Sequence, residues 1–260
     1  MVASQIRANA RESLTGKWGK AALLTLTYSI IVFVIDFVCN LIPVIGGIAL
    51  FVISTPISYG LLVSFMKLKR GEEVGYVDFL TSGFTSFGKV WGVIGNTILK
   101  MILPVCLIVI FIIIMVIGLS GSMVALNFAT NSTSTATGAA AGLGVLGVIG
   151  IIGYIVSLIY TVIKGYLYSL SFYILNDNPD MTGKEIVNES EKLMRGNRWR
   201  YFWLGLTFIG WAILAAFTFG IGMLWLMPYM MIAMICFYED LAGITSTPVV
   251  EAESETKTEE

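Results

Sequence analysis

Residues 193–203 read LMRGNRWRYFW, and the chain then runs on as LGLTFIGWAILAAF to Phe217. Three arginines, two tryptophans, a tyrosine and a phenylalanine stand directly before an apolar segment. This is the order of groups met by a chain entering a bilayer. Aromatic rings with a polar edge settle at headgroup depth, arginines reach phosphates, and about 20 apolar residues then cross the hydrocarbon. Composition extends the reading to the whole chain. Hydrophobic residues are 57% and charged residues 13%, against roughly a quarter charged in soluble domains. The charges are also segregated, leaving several long uncharged runs. Runs of this length cross lipid as helices, because a helix satisfies its own backbone. The expected class is therefore an all-α polytopic membrane protein. A net charge of −1 offers no basic footprint for nucleic acid.

Working outward, six spans are expected, at about 21–41 (AALLTLTYSIIVFVIDFVCNL), 47–66, 101–119, 144–166, 201–219 and 222–238. The fourth lies inside an apolar stretch, 141–175, that as one helix would be ~52 Å long, so it must tilt, break or project. The first span reads as retained rather than as a cleaved signal peptide, since its polar leader and apolar core are both too long. Residues 1–243 are expected to form one integral membrane domain. Residues 244–260 are expected to form an acidic, disordered cytoplasmic tail. The uncharged segment 120–140 reads as a flexible external loop.

All sixteen lysines and arginines fall in the N-terminal segment, in the second–third and fourth–fifth connections, or in the tail. The other three connections carry none. The positive-inside rule then places both termini in the cytoplasm, with the cell membrane as the location. Trp18, Trp91, Arg195, Arg198, Trp199 and Arg200 are read as interfacial anchors. They belong to a device that recurs: Gly16-Lys17-Trp18 precedes the first span, Gly88-Lys89-Val90-Trp91 the third and Gly196-Asn197-Arg198-Trp199 the fifth. Residues recurring at helical spacing precede two of these, Val2, Ile6, Ala10 and Leu14 in one and Ile186, Ser190, Leu193 and Met194 in the other. Thr182 and Glu185 form a capping-box pattern before the latter. Residues 1–19 and 183–197 are accordingly expected to lie flat on the inner leaflet. Pro56 lies fifteen residues before Gly71 and Pro228 fifteen before Gly243, and Phe65, Phe172-Tyr173 and Phe237-Tyr238 close the second, fourth and sixth spans. The reading is three hairpins, each led by an interfacial amphipathic helix. Chance recurrence of interfacial glycine and tryptophan is the competing account.

Residues 177–241 carry Asp177-Asn178-Pro179, Ser190, Met194, Gly196-Asn197, Trp199, Phe208-Ile209-Gly210-Trp211, Gly220-Ile221-Gly222, Pro228-Tyr229 and Phe237-Tyr238. With RANARESLTGKW and LKRGEE near the N-terminus, this set resembles the bacterial integral-membrane family labelled domain of unknown function 975. The resemblance covers most of the chain and implies this membrane architecture but no settled activity. Where the family pattern has a Pro-Gly near the middle of the fourth apolar stretch, this chain has Val162 and Ile163, so a kink there is not carried over.

Candidate chemistry is sparse. With no histidine, histidine-dependent catalysis and histidine metal sites are excluded. Cys39, Cys106 and Cys236 fall in three different spans without a CxxC. No phosphate-binding glycine motif is present. Lys100 and Lys164 read as snorkelling anchors, and Gly142, Gly144, Gly147, Gly150 and Gly153 as a close-packing face. The one acid well inside a span is Asp36, ~22 Å past Ala21. Thr25, Ser29, Asp36 and Asn40 fall within about 60° on the helix and form one polar stripe. Asp36 either lines a proton or cation pathway or is an acid near the outer surface that reaches water or is hydrogen-bonded. The expected function is a non-enzymatic structural, assembly or envelope-maintenance role. The alternative is a transporter or export factor for a small amphiphile or peptide. Neither cofactor nor metal is expected. The expected partners are the lipid bilayer and a membrane-protein partner or oligomer.

Overall fold

The computed structural model describes residues 2–41, 45–129 and 134–244. Pro43 and the tail from residue 245 onward lie outside the described residues. Ten helices follow in order: α1 Ala3–Ser13, α2 Trp18–Asn40, α3 Ile45–Lys69, α4 Asp78–Thr85, α5 Phe87–Ala129, α6 Ser134–Leu167, α7 Ser171–Asp177, α8 Gly183–Met194, α9 Arg198–Phe217 and α10 Met223–Ala242. The described residues contain no strand. Six helical runs are long and apolar enough to cross a membrane: α2, α3, α5, α6 continuing into α7, α9 and α10. The protein is thus an all-α polytopic membrane protein of three hairpins, each preceded by a short helix: α1 by α2–α3, α4 by α5–α6–α7, and α8 by α9–α10.

Local sequence accounts for the ends. α3 closes with Gly71 at φ +80°, Glu72 N–H donating to Lys67 O at 3.0 Å and Gly71 N–H to Leu68 O at 3.3 Å. α10 closes with Gly243 at φ +67° and Ile244 N–H on Glu239 O at 3.0 Å. This is one Schellman-type closure used twice, and only glycine enters its left-handed turn without a Cβ penalty. At the start of α8, Glu185 N–H donates to Thr182 Oγ1, while Thr182 N–H and its hydroxyl both donate to Glu185 Oε2 at 2.8 Å. These donors hold the Glu185 carboxyl below the usual carboxylate range.

The arms of the second hairpin differ from the spans expected at 101–119 and 144–166. α5 is 43 residues and α6 is 34, about 64 and 51 Å at 1.5 Å per residue. Most of the segment expected as a loop at 120–140 is therefore helix. Its polar side chains do not break it because they fold back on it: Ser122 Oγ donates to Leu119 O at 2.8 Å and Asn127 Nδ2 to Met123 O at 2.9 Å. The long apolar run does break at its other end. Tyr168 N–H and Ser169 N–H switch to acceptors three residues back, Gly165 O and Tyr166 O, and α7 restarts after this tighter turn.

Contacts divide the chain into two compact units, residues 94–169 and the remainder. In the first, glycines on α6 meet α5 directly. A Cβ at Gly118 would overlap the Gly147 backbone, and one at Gly150 would lie 2.5 Å from Met115 Cα. In the other unit, α3 and α10 are the inner helices, with 50% of their most apolar window buried against 11% for α2. The short helices are placed by a single rule. α4 packs on α3 and α8 on α7, in each case the last arm of the preceding hairpin; α1 has no predecessor and packs on α10. Within this unit the short helices thus each pack on the arm that ends another repeat, cyclically in chain order. Their buried stripes share one spacing, large then small four residues on: Ile6 and Ala10, Phe79 and Gly83, Ile186 and Ser190. The stripes of α1 and α8, expected to lie on lipid, are instead spent on protein: Ile6, Ala10, Leu14, Ile186, Ser190 and Met194 are buried, Leu193 is half-buried and Val2 stays outside.

The small position matters because the helices touch through backbone. A Cβ on Gly83 would fall on the Pro56 carbonyl oxygen, and one on Gly60 on the Phe79 carbonyl oxygen. Gly60→Leu or Gly83→Leu is expected to destabilise the protein by at least about 1–3 kcal/mol. Gly19→Ala, at a glycine with open space around it, is expected to be neutral. Thermal unfolding of the purified variants in detergent checks both.

Candidate functional site

The ends of α3, α7 and α10 converge, and their charges meet there. Lys69, in the last turn of α3, pairs with Glu239 of α10; their side chains are only 6% and 5% exposed. Next to it, Arg70 Nη2 lies 2.7 Å from Asp177 Oδ1 at the end of α7. The other Asp177 oxygen accepts from Tyr238 Oη at 3.2 Å. Lys17, between α1 and α2, donates to the Leu68 carbonyl at 3.0 Å. That carbonyl belongs to the last turn of α3, where cations are favoured by the helix dipole. Beneath the charges lies a layer of rings: Tyr173 on Tyr238 at 5.4 Å, Tyr59 on Phe172 at 5.7 Å and Tyr201 on Phe237 at 5.6 Å. Phe172-Tyr173 and Phe237-Tyr238, which close two of the spans, thus come together as neighbours.

Arg200 completes the cluster from α9. Its Nη1 donates to Asn197 Oδ1 at 2.9 Å and its Nη2 to Asp240 Oδ2 at 2.5 Å, with the guanidinium 5.7 Å from the Phe237 ring centre. The planar fork serves two acceptors at once, which a lysine ammonium cannot reproduce in the same geometry. Its neighbours in sequence behave differently. Arg195 bonds Glu191 of its own helix at 2.9 Å and stays exposed. Trp199 is 67% exposed and stacks on Phe202 at 5.1 Å. Arg198 is half-buried, and its Nε has no acceptor among the described residues. The stretch 193–203 therefore faces two ways: Trp199 turns outward, Arg200 inward. Trp18 and Trp91 pack on protein rings, Trp18 on Tyr229 at 6.3 Å and Trp91 on Phe51 at 5.5 Å.

The polar stripe of α2 is not gathered around a common point. Thr25 Oγ1 donates to Ala21 O at 3.0 Å and Ser29 Oγ to Thr25 O at 2.8 Å. Asn40 Nδ2 donates to Asp36 O and to Asp36 Oδ1, at 2.8 and 2.9 Å. Thr25 is buried, whereas Asn40 is exposed. Each polar group is satisfied along its own helix, so the stripe divides into two local pairs. Cys39, Cys106 and Cys236 are free thiols, and no three potential metal-ligating side chains converge among the described residues.

The Lys69–Glu239 pair is the feature that sequence reasoning missed. Ending the sixth span at about Tyr238 left Glu239 outside it, but α10 runs on to Ala242. One signal was present. Pro56 to Gly71 and Pro228 to Gly243 share a register, and in that register the basic end of one arm faces the acidic end of the other.

A buried charge left alone costs far more than a buried pair or an apolar replacement of both. Lys69→Met and Glu239→Leu are each expected to lower stability by about 3–5 kcal/mol, with the double variant recovering most of the loss; a double-mutant cycle on unfolding in mixed micelles reads this directly. Arg200→Lys is expected to cost on the order of 1 kcal/mol, while Arg195→Lys is neutral, measured by the same unfolding assay.

Comparison with curated proteins and with solved structures returns no significant match. One family profile does match, over residues 1–245, a range that takes in all ten helices and the charged cluster. The chain belongs to that family, described as "Protein of unknown function (DUF975)".

Proposed function

We propose that the protein is a non-enzymatic component of a bacterial cytoplasmic membrane, with a structural, assembly or envelope-maintenance role. The observation that carries this reading is the use of its charged side chains. Lys69, Arg70 and Arg200 are spent on Glu239, Asp177 and Asp240, and these pairs tie one helix end to another. A catalytic acid or base is held within reach of a substrate at a cleft; these carboxylates are instead held by cations of the same chain. The partners we propose are lipid and another membrane protein or a second copy of the chain.

In this reading both termini and the cluster lie on the cytoplasmic side, since the basic residues flank these helix ends. A C-terminal alkaline phosphatase fusion is expected to be inactive and a C-terminal green fluorescent fusion to be bright; the reverse would invert the topology. Asp36 separates this role from transport of a small amphiphile or peptide. In a strain lacking the protein, Asp36→Asn is expected to restore the envelope phenotype as fully as the unchanged chain. Failure of Asp36→Asn to do so, at normal membrane levels, would favour a conducting site on α2. Affinity purification from native membranes, with co-purified proteins and lipids identified, would name the partner.

A further inference from the structure

A cleft of about 340 Å³ opens between α3, α4, the first turns of α5 and the end of α7. Its size is at the small end of ligand sites, on the scale of a headgroup rather than an extended cofactor. Its lining is one-signed. Lys67 and Lys89 contribute two ammonium groups, and no aspartate or glutamate lines it. The nearest paired acid in sequence, Asp177, is already taken by Arg70 and Tyr238. Lys89 is aimed by one bond, Nζ to the Pro179 carbonyl at 2.9 Å, which leaves two of its three protons free. Lys67 has no acceptor for its ammonium among the described residues.

The hydroxyls on the α4 side are the second observation. Elsewhere in this chain the buried Ser64 and Ser171 have no partner among the described residues, whereas six helical serines and threonines fold back on their own helix: Thr25, Ser29, Thr55, Ser58, Ser157 and Thr161 each donate to the carbonyl four residues earlier. Thr81, Ser82 and Thr85 line the cleft and do not. Their hydroxyls have no partner among the described residues, so they remain free to donate into the cleft. Asn176 also lines the cleft from α7, its Nδ2 donating to Asp177 Oδ1 at 3.1 Å. Convergent ammonium and hydroxyl donors around a small space suit a compact anion with several acceptor oxygens. Lysine binds phosphate as a point charge, whereas arginine is the usual choice for the planar carboxylate.

We propose that this cleft binds a phosphate group, as the headgroup of an anionic phospholipid or as a soluble phosphate. Lys67 and Lys89 neutralise its charge, and Thr81, Ser82 and Thr85 donate to its oxygens. Both lysines sit at ends of membrane-spanning helices, α3 and α5, which is the depth of lipid phosphates. The inference is independent of the scaffold role proposed above: it concerns a bound ligand, and its test does not use the cellular phenotype.

The full chain is purified, exchanged into phosphatidylcholine vesicles with or without phosphatidylglycerol, and its retained lipids are read by native mass spectrometry. Inorganic phosphate is titrated separately in detergent. The unchanged protein is expected to retain phosphatidylglycerol over phosphatidylcholine. Lys67→Gln with Lys89→Gln should weaken that retention about tenfold or more. Lys184→Gln with Lys192→Gln, on α8 outside the cleft, should leave it unchanged. Saturable phosphate binding lost in the same double variant also supports the proposal and identifies a soluble source; lipid retention without it identifies the headgroup. Should the lysine variant not fold, Thr81→Val, Ser82→Ala and Thr85→Val together keep the charge and should still weaken binding several-fold. Absence of saturable binding by either probe overturns the proposal. So does binding that is unchanged in the lysine variant or, where that variant does not fold, in the hydroxyl variant.

Discussion

Two charges buried side by side constrain the rest of this structure. Lys69 and Glu239 sit at the ends of separate helices that are far apart in sequence, and neither side chain has appreciable access to water. In low dielectric, each ion is tolerable only because the other is there. That requirement sets the relative depth of α3 and α10, because sliding either helix by one turn would strand both charges. Arg70 on Asp177 and Tyr238 on Asp177 add α7 to the same arrangement. Three helices that could otherwise slide past one another in lipid are thereby held at one level.

Association of helices in a bilayer gains little from removing apolar surface from water, because lipid tails are as apolar as leucine. This chain uses other means. One is close backbone approach, as at Gly60 and Gly83, where α3 and α4 touch without side chains between them. Another is cyclic packing of the short helices, each on the last arm of the hairpin before it, with α1 closing on α10. Because α1 is the first and α10 the last helix among the described residues, their contact makes the two ends of this unit mutually dependent. Lys17 reinforces the arrangement by capping a carbonyl of α3 from the link between α1 and α2.

Much of this was legible in the residues. The apolar runs, the Gly-Lys-Trp device, the capping box of Thr182 and Glu185 and the paired Pro–Gly spacings are all local signals, and local signals survive translation into structure because they concern hydrogen bonds within a few residues. The errors were equally local in origin. Ser122 and Asn127 read as loop residues because they are polar, yet each finds an acceptor on its own helix and prolongs α5. The stripes of α1 and α8 read as lipid-facing because amphipathicity shows that a face is covered, not what covers it.

The sequence by itself determined that this is a helical membrane protein of six spans, where basic residues border them, and that no histidine chemistry is available. Those properties follow from hydropathy, charge and composition, which are sums over residues near one another. Only the tertiary structure decided that Glu239 is buried, that Lys69 is its partner, that Arg200 turns inward while Trp199 turns outward, and that Lys67 and Lys89 face one cleft. A helix with a charge at its end is acceptable in isolation, since water can reach it. Whether that charge is solvated or paired depends on which other helix end arrives beside it, and that is set by how α3, α7 and α10 pack.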